Sequence, residues 1–238
     1  MVERDLAELY KNDYEEYVKV TDEMARKEAE AFAKECAPLL HRLGSIMKTK
    51  LEYLSDLSSM ETATIKAHVQ DIGRAIAEEK NPSVSVNTVW ALLLNNAHAD
   101  LDFDTLARLF EVLPTTKTGD PNVRGAIGQR LSNIVTRNNV KEFLELVKHT
   151  EPTADRWSLL YGFPKIKDKK YAEDMIGLLR EALHDPGSLW PAAEVAKKKK
   201  HFVLLPDLRE ALKLTNDKEA RRVIQRSINY LEAHKPTD

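Results

Sequence analysis

Phe202-Val203-Leu204-Leu205-Pro206, then Leu208, Ala211, Leu212 and Leu214, a Thr215-Asn216-Asp217 break, and Ala220, Arg221, Val223, Ile224, Ile228 and Leu231: this stretch near the C-terminus decides the fold. On both sides of the break the apolar residues recur three or four positions apart, which marks one apolar face of a helix. Residues 202–215 and 217–233 therefore read as two helices joined by a turn.

The same unit recurs upstream with drift. Four earlier pairs are expected, 61–80 with 83–99, 103–113 with 121–137, 140–150 with 153–165, and 169–184 with 187–200. Their breaks carry Asn81-Pro82, Pro114 with Gly119-Asp120-Pro121, and Asp185-Pro186-Gly187. Units two to five start near 103, 140, 171 and 202, spacings of 37, 31 and 31 residues. Units repeating at that period cannot bury their apolar faces alone and must stack. Strand-like alternation occurs nowhere, so the expected class is all-α.

The first 60 residues differ. Residues 1–35 hold 6 Lys/Arg against 11 Asp/Glu. Val2, Leu6, Leu9, Tyr10, Tyr14 and Tyr17 nevertheless recur at helical spacing, giving an acidic helix with a tyrosine-rich face. A second helix is expected to open at Thr21 as N-cap and to carry Met24, Phe32, Cys36, Leu39, Leu40 and Leu43 inward, with Pro38 kinking or restarting it. A third, short helix is expected over Ile46, Met47, Leu51, Leu54 and Leu57. The expected organisation is an N-terminal helical cap, 1–60, before a solenoid, 61–238. The acidic first helix has two readings: a cap over the first repeat, or a lid folded onto a basic groove of the same chain.

In the last unit Leu205, Pro206, Leu208, Leu212, Asp217 and Arg221 follow one another in a fixed order. Asp120, Val123 and Arg124 repeat the second half of that order. Leu178, Leu179, Leu183 and Asp185 repeat the first half, with Leu189-Trp190 in place of Val-Arg. The third unit keeps Arg156 without a clean Asp at its turn. This order resembles the HEAT-repeat (armadillo-like) family across residues 61–238. The resemblance implies a right-handed α-α superhelix of about five helix pairs, with the second helix of each pair on the concave face. It also implies that Arg124, Arg156 and Arg221 pair with turn Asp residues as a structural ladder.

On that assignment the second helices carry a net charge of +9 and the first helices −2, although the whole chain carries only −2. The second helices also hold Asn87, Asn95, Asn96, Asn122, Gln129, Asn133, Gln225 and Asn229. Such a face suits an acidic protein surface or a phosphate backbone. Repeat structure accounts for the three ladder arginines, and helix capping accounts for Lys197–Lys200. Arg130, Arg137, Arg222 and Arg226 are required by neither. A second basic locus lies in the turns, Lys165, Lys167, Lys169 and Lys170 one unit before Lys197–Lys200 and His201.

Asp100, Asp102, Asp104 and Glu111 fall at calcium-loop spacing, but Thr105 replaces the loop glycine and 105–113 reads as helix, so N-capping is the better account. The seven His are scattered without metal-ligand spacing, and phosphate-binding glycine loops and hydrolase or kinase signatures are absent. Some alkylpurine DNA glycosylases are HEAT-like solenoids that surround an extruded nucleotide with concave Trp, Asp and Arg. The nearest constellation here is Asp155, Arg156, Trp157 and Tyr161, with Trp190 one unit later. The 33-residue spacing of Trp157 and Trp190 equally suits equivalent core positions.

One cysteine, Cys36, excludes an internal disulfide and reads as a buried thiol in a reducing compartment. The absence of a long apolar run and of a secretory leader gives a cytoplasmic expectation without a membrane partner. The functional expectation is a non-enzymatic interaction module binding a protein partner through its concave face, with no cofactor and no metal. The alternative is a nucleic-acid-binding protein of the same architecture. The candidate binding residues are Arg124, Arg130, Arg137, Arg156, Trp157, Trp190, Arg222 and Arg226.

Overall fold

Helical periodicity in the chain becomes helix throughout a computed structural model, which describes residues 6, 10, 14–94, 101–115, 123–151 and 154–236. Among the described residues there are twelve α-helices and no strand. They are α1 (Tyr14–Met47), α2 (Leu54–Leu57), α3 (Thr62–Ala77), α4 (Pro82–Leu94), α5 (Phe103–Val112), α6 (Val123–Asn133), α7 (Val140–His149), α8 (Ala154–Leu160), α9 (Ala172–Ala182), α10 (Leu189–Lys199), α11 (Leu205–Leu214) and α12 (Lys218–Ala233).

Helix ends follow local chemistry. Asp102 Oδ1 accepts from Thr105 N at 3.0 Å and opens α5, and Asp217 Oδ1 accepts from Ala220 N at 2.7 Å and opens α12. Each bond satisfies one of the orphan donors of a helix start. Pro206 sits in the first turn of α11, where a missing N–H costs nothing. The Gly119-Asp120-Pro121 turn and the residues Asn95, Asn96, Asp100 and Asn122 lie outside the described residues.

The N-terminal expectation needs correction. Thr21 is not an N-cap; its hydroxyl donates back to the Tyr17 and Val18 carbonyls, both at 2.9 Å, and the helix runs on. Pro38 lies inside α1 without ending it. Met47, expected in a third helix, is the last residue of α1, where Lys48 takes a left-handed backbone (φ 54°) and Thr49 N bonds Gly44 O at 2.9 Å. Backbone closure of that kind stops a helix regardless of the side-chain pattern beyond it.

Packing links alternate helices. The second helices follow in contact, α4 on α6, α6 on α8, α8 on α10 and α10 on α12, and α2 lies against α4. On the other side α1 packs on α3 and α3 on α5. The tightest joint is α6 with α8. A Cβ on Gly128 would stand 2.0 Å from Ser158 Oγ, so only glycine permits this approach. Ser132 Oγ fixes it further through the Ser158 and Leu159 carbonyls at 2.6 and 3.0 Å. The core is continuous, and Phe103, Phe143 and Phe163 run through it edge to face with centroids 6.5 and 6.4 Å apart. Cys36 is buried in that core, and burial pushes its thiol pKa up.

Candidate recognition face on the second helices

Arg156 and Arg221 tie neighbouring helices together. Arg156, 4% exposed, donates from Nε to Thr150 O at 2.8 Å, from Nη2 to Lys148 O at 3.4 Å and from Nη1 to Glu181 at 3.1 Å. Arg221 does the same in the last helix pair, donating to Leu212 O at 2.7 Å and Thr215 O at 2.9 Å. Both satisfy carbonyls orphaned at the end of the preceding first helix. The expected ladder to turn Asp residues does not form at these two positions, because Asp217 is engaged as the α12 cap and the third unit's turn lacks an equivalent.

Arg124 is the variant of the motif. Its guanidinium lies 4.2 Å above the Phe110 ring, bonds Thr115 Oγ at 3.1 Å and stands 3.4 Å from Asp155, whose side chain is 0% exposed. Burial pushes the Arg124 pKa down, while the carboxylates of Asp155, Glu151 and Glu111 work against that shift. Asp155 and Arg156 are thus interior residues, so two members of the glycosylase-like constellation face the core.

The aromatic members behave differently. Trp190 is 49% exposed, Trp157 and Tyr161 are half-buried, and the two do not sit in the core positions that their spacing also allowed. Trp157 and Tyr161 meet edge to face at 5.8 Å, and Lys198 Nζ lies 6.0 Å from the Tyr161 centroid. Glu194 bridges Lys197 and Lys198 at 3.6 and 3.9 Å, and burial followed by that carboxylate raises the Tyr161 pKa. Trp90 on α4, 39% exposed, completes the set. Sequence reasoning did not single it out, since its neighbours Val84, Val86, Val89, Leu92 and Leu93 read as core; that all three Trp fall on second helices was the available signal.

Of the remaining arginines, Arg137 and Arg226 are exposed, and Arg130 is half-buried in α6. Arg222, also exposed, pairs with Glu219 at 2.7 Å. Arg226 shares its face of α12 with Gln225 and Asn229, which bond each other at 2.8 Å. The turn lysines are partly structural. Lys165 Nζ donates to Asn133 O at 2.8 Å and Lys199 Nζ to Ile166 O at 2.5 Å, each stapling one unit's end to the preceding one. Burial lowers both amine pKa values. Lys170 lies over the Tyr171 ring at 4.7 Å.

Elsewhere, α5 and α7 stand apart around an open groove of about 600 Å³ lined by Phe103, Asp104, Arg108, Glu111, Lys141 and Glu145. Its acids and bases are interleaved. The calcium-like spacing is absorbed by α5: Asp102 is its cap, and Asp104 and Glu111 lie within the helix. Among the described residues no group of three His, Cys, Asp or Glu could hold a metal ion, and no helix is long and apolar enough to cross a membrane. Asp102 also bonds Lys66 of α3 at 2.8 Å, and Lys66 and Thr105 together lower its pKa from 3.8 to about 2. The folded value lies below the unfolded one, so this stabilisation is complete above about pH 4 and disappears as pH falls from 3.8 towards 2. The side chain is half exposed, so the effect is small. In thermal melts across that window, Asp102→Asn should fall less with acid than the wild type; parallel curves would contradict the assignment.

Comparisons of the chain with protein-family models, curated proteins and solved structures found no match.

Proposed function

We propose that this chain is a non-enzymatic α-solenoid of the HEAT-like kind, a right-handed superhelix of five helix pairs behind an N-terminal helical cap, that binds a protein partner over the exposed face of its second helices. The order of contacts, second helix to second helix from α4 to α12, supports the solenoid reading. The observation that carries the function is the placement of every tryptophan of the chain, Trp90, Trp157 and Trp190, on that one row without full burial. Trp, Tyr and Arg are the residues that dominate protein interfaces, because they bury large area at small entropic cost and keep a polar end. The same row of helices carries Lys198, against the Tyr161 ring, and the exposed Arg222 and Arg226, which suits an acidic partner.

Substitution on the row tests this. Trp157→Ala with Trp190→Ala should weaken capture of the partner by several hundredfold, on the order of 4 kcal/mol at about 2 kcal/mol for each truncated interface aromatic. Arg108→Glu with Lys141→Glu, in the groove between α5 and α7, should leave capture unchanged. Loss with the groove pair and retention with the row pair would overturn the proposal.

Nucleic acid is the second reading, favoured by the exposure of Arg226 on α12 and of Arg137 in the turn that follows α6, since exposed cations can pair with a phosphate backbone. That reading requires affinity that falls steeply with salt. Binding of single-stranded RNA or DNA that survives Arg137→Glu with Arg226→Glu would remove it.

A further inference from the structure

Helix α1 is far longer than its packing explains. Its buried residues, Cys36, Leu39, Leu40, Leu43, Gly44 and Met47, all lie in the C-terminal part that packs on α3. Glu35 marks the edge of the body, accepting from Asn81 Nδ2 at 2.9 Å. Beyond it, residues 22–31 are all exposed and 14–21 are exposed or half-exposed. The ion pairs Lys27–Glu23 and Arg26–Glu30 run along the helix itself. Such pairs contribute only about 0.2–0.5 kcal/mol each, and a helix of this length is marginal in water without a packed face.

The face that would pack is present. Cys36, Leu40, Leu43 and Met47 continue towards the N-terminus at steps of three and four as Phe32, Ala29, Ala25, Thr21, Val18 and Tyr14. One stripe of apolar and small residues therefore runs the whole helix, buried at one end, while towards the other Ala29, Ala25 and Tyr14 are exposed and Thr21 and Val18 half-exposed. Tyr14 stacks on Tyr17, and Tyr10 meets both edge to face, so the bare end is also aromatic. Its flanks are acidic: residues 14–31 hold six Asp/Glu against three Lys/Arg.

We propose that residues 14–31 form a self-association arm, whose Tyr14–Val18–Thr21–Ala25 face docks on the Trp157, Trp190 and Arg226 face of a second copy of this chain. The inference rests on the second-helix row being a binding face and names what occupies it. Charge selects the occupant. The arm is net −3, and α10 and α12 are each net +2, whereas two arms laid side by side would set like charge against like. Length agrees: the stripe from Tyr14 to Ala25 spans about 17 Å at 1.5 Å per residue, comparable to the two spacings of about 8–10 Å from α8 to α12. The chain's own row is out of reach, because the arm continues without a break into the helix anchored from Cys36 to Met47. Reciprocal exchange of arms between two copies closes the assembly as a dimer.

Charge reversal on the full-length chain tests this by sedimentation equilibrium, with helical content checked by circular dichroism. The wild type should dimerise. Arm reversal (Glu15→Lys, Glu16→Lys, Asp22→Lys, Glu23→Lys) and row reversal (Lys198→Glu, Arg222→Glu, Arg226→Glu) should each weaken dimerisation at least about a hundredfold, the effect of several like-charge contacts. An equimolar mixture of the two variants should dimerise again, since each arm then meets a row of opposite sign. A monomeric wild type overturns the inference and leaves the row open to a different protein. A dimer lost on arm reversal but indifferent to row reversal means that arms pair with arms, and also overturns it.

Discussion

Asp155→Ala is expected to destabilise the protein by about 3–5 kcal/mol, the cost of breaking a buried ion pair. The loss comes less from the contact than from what remains. Arg124 keeps its charge over the Phe110 ring, 11% exposed by side chain, with its Nε buried and without a hydrogen-bond acceptor among the described residues. A guanidinium cannot shed its proton to escape, so the unpaired charge stays in the interior. At about 2–4 °C per kcal/mol for a chain of this size, the melting temperature should fall by roughly 6–20 °C. Replacing both partners, Arg124→Met with Asp155→Leu, should restore most of that stability, because neither charge is then stranded. A single variant that melts like the wild type would show that Asp155 is not structural, and would reopen its reading as an acid presented to a substrate.

Phe143→Ala is the second large effect, about 3–5 kcal/mol by analogy with deletion of other fully buried aromatic rings. Phe143 sits between Phe103 and Phe163, so its removal opens a cavity in contact with both. The informative part is its coupling to Gly162. A Cβ on Gly162 would stand 2.5 Å from Phe143 Cζ and 2.8 Å from Cε1, and it would meet Val135 Cγ2 at 3.2 Å. Gly162→Ala alone should therefore cost about 1–3 kcal/mol through overpacking. In the Phe143→Ala background the obstruction is gone and the added methyl fills part of the cavity, so the same change should be neutral or stabilising. Denaturant titration of the four proteins gives the interaction term directly. Strict additivity would mean that the ring and the glycine do not share the space assigned to them.

The all-helical class was legible because apolar residues recur at helical spacing and because Pro and Asp mark the breaks; α11 and α12 lie within three residues of the boundaries read from 202–215 and 217–233. The N-terminal segment was misread where side-chain rules competed. Thr21 has the right chemistry for a cap, but its hydroxyl is equally satisfied by the carbonyls one turn back. The candidate site divided along the same line. Arg124 and Arg156 look like Arg222 and Arg226 in sequence, yet one pair is buried against carbonyls or Asp155 and the other is exposed, a difference set by one or two positions around a helix. Trp90 was hidden by its apolar neighbours. The bare length of α1 was hidden because its apolar stripe runs evenly into the buried portion, and periodicity does not say where coverage ends.

We propose the second-helix row as the face by which this protein recognises another chain. The row carries every tryptophan present, so acrylamide quenching of fluorescence excited selectively at tryptophan, and not at tyrosine, reports on it alone. Across the concentration range in which sedimentation shows the complex forming, the quenching slope should fall and the emission should shift to the blue as Trp157 and Trp190 leave water. A complex that forms with the slope and the emission maximum unchanged would place the contact elsewhere and contradict the account.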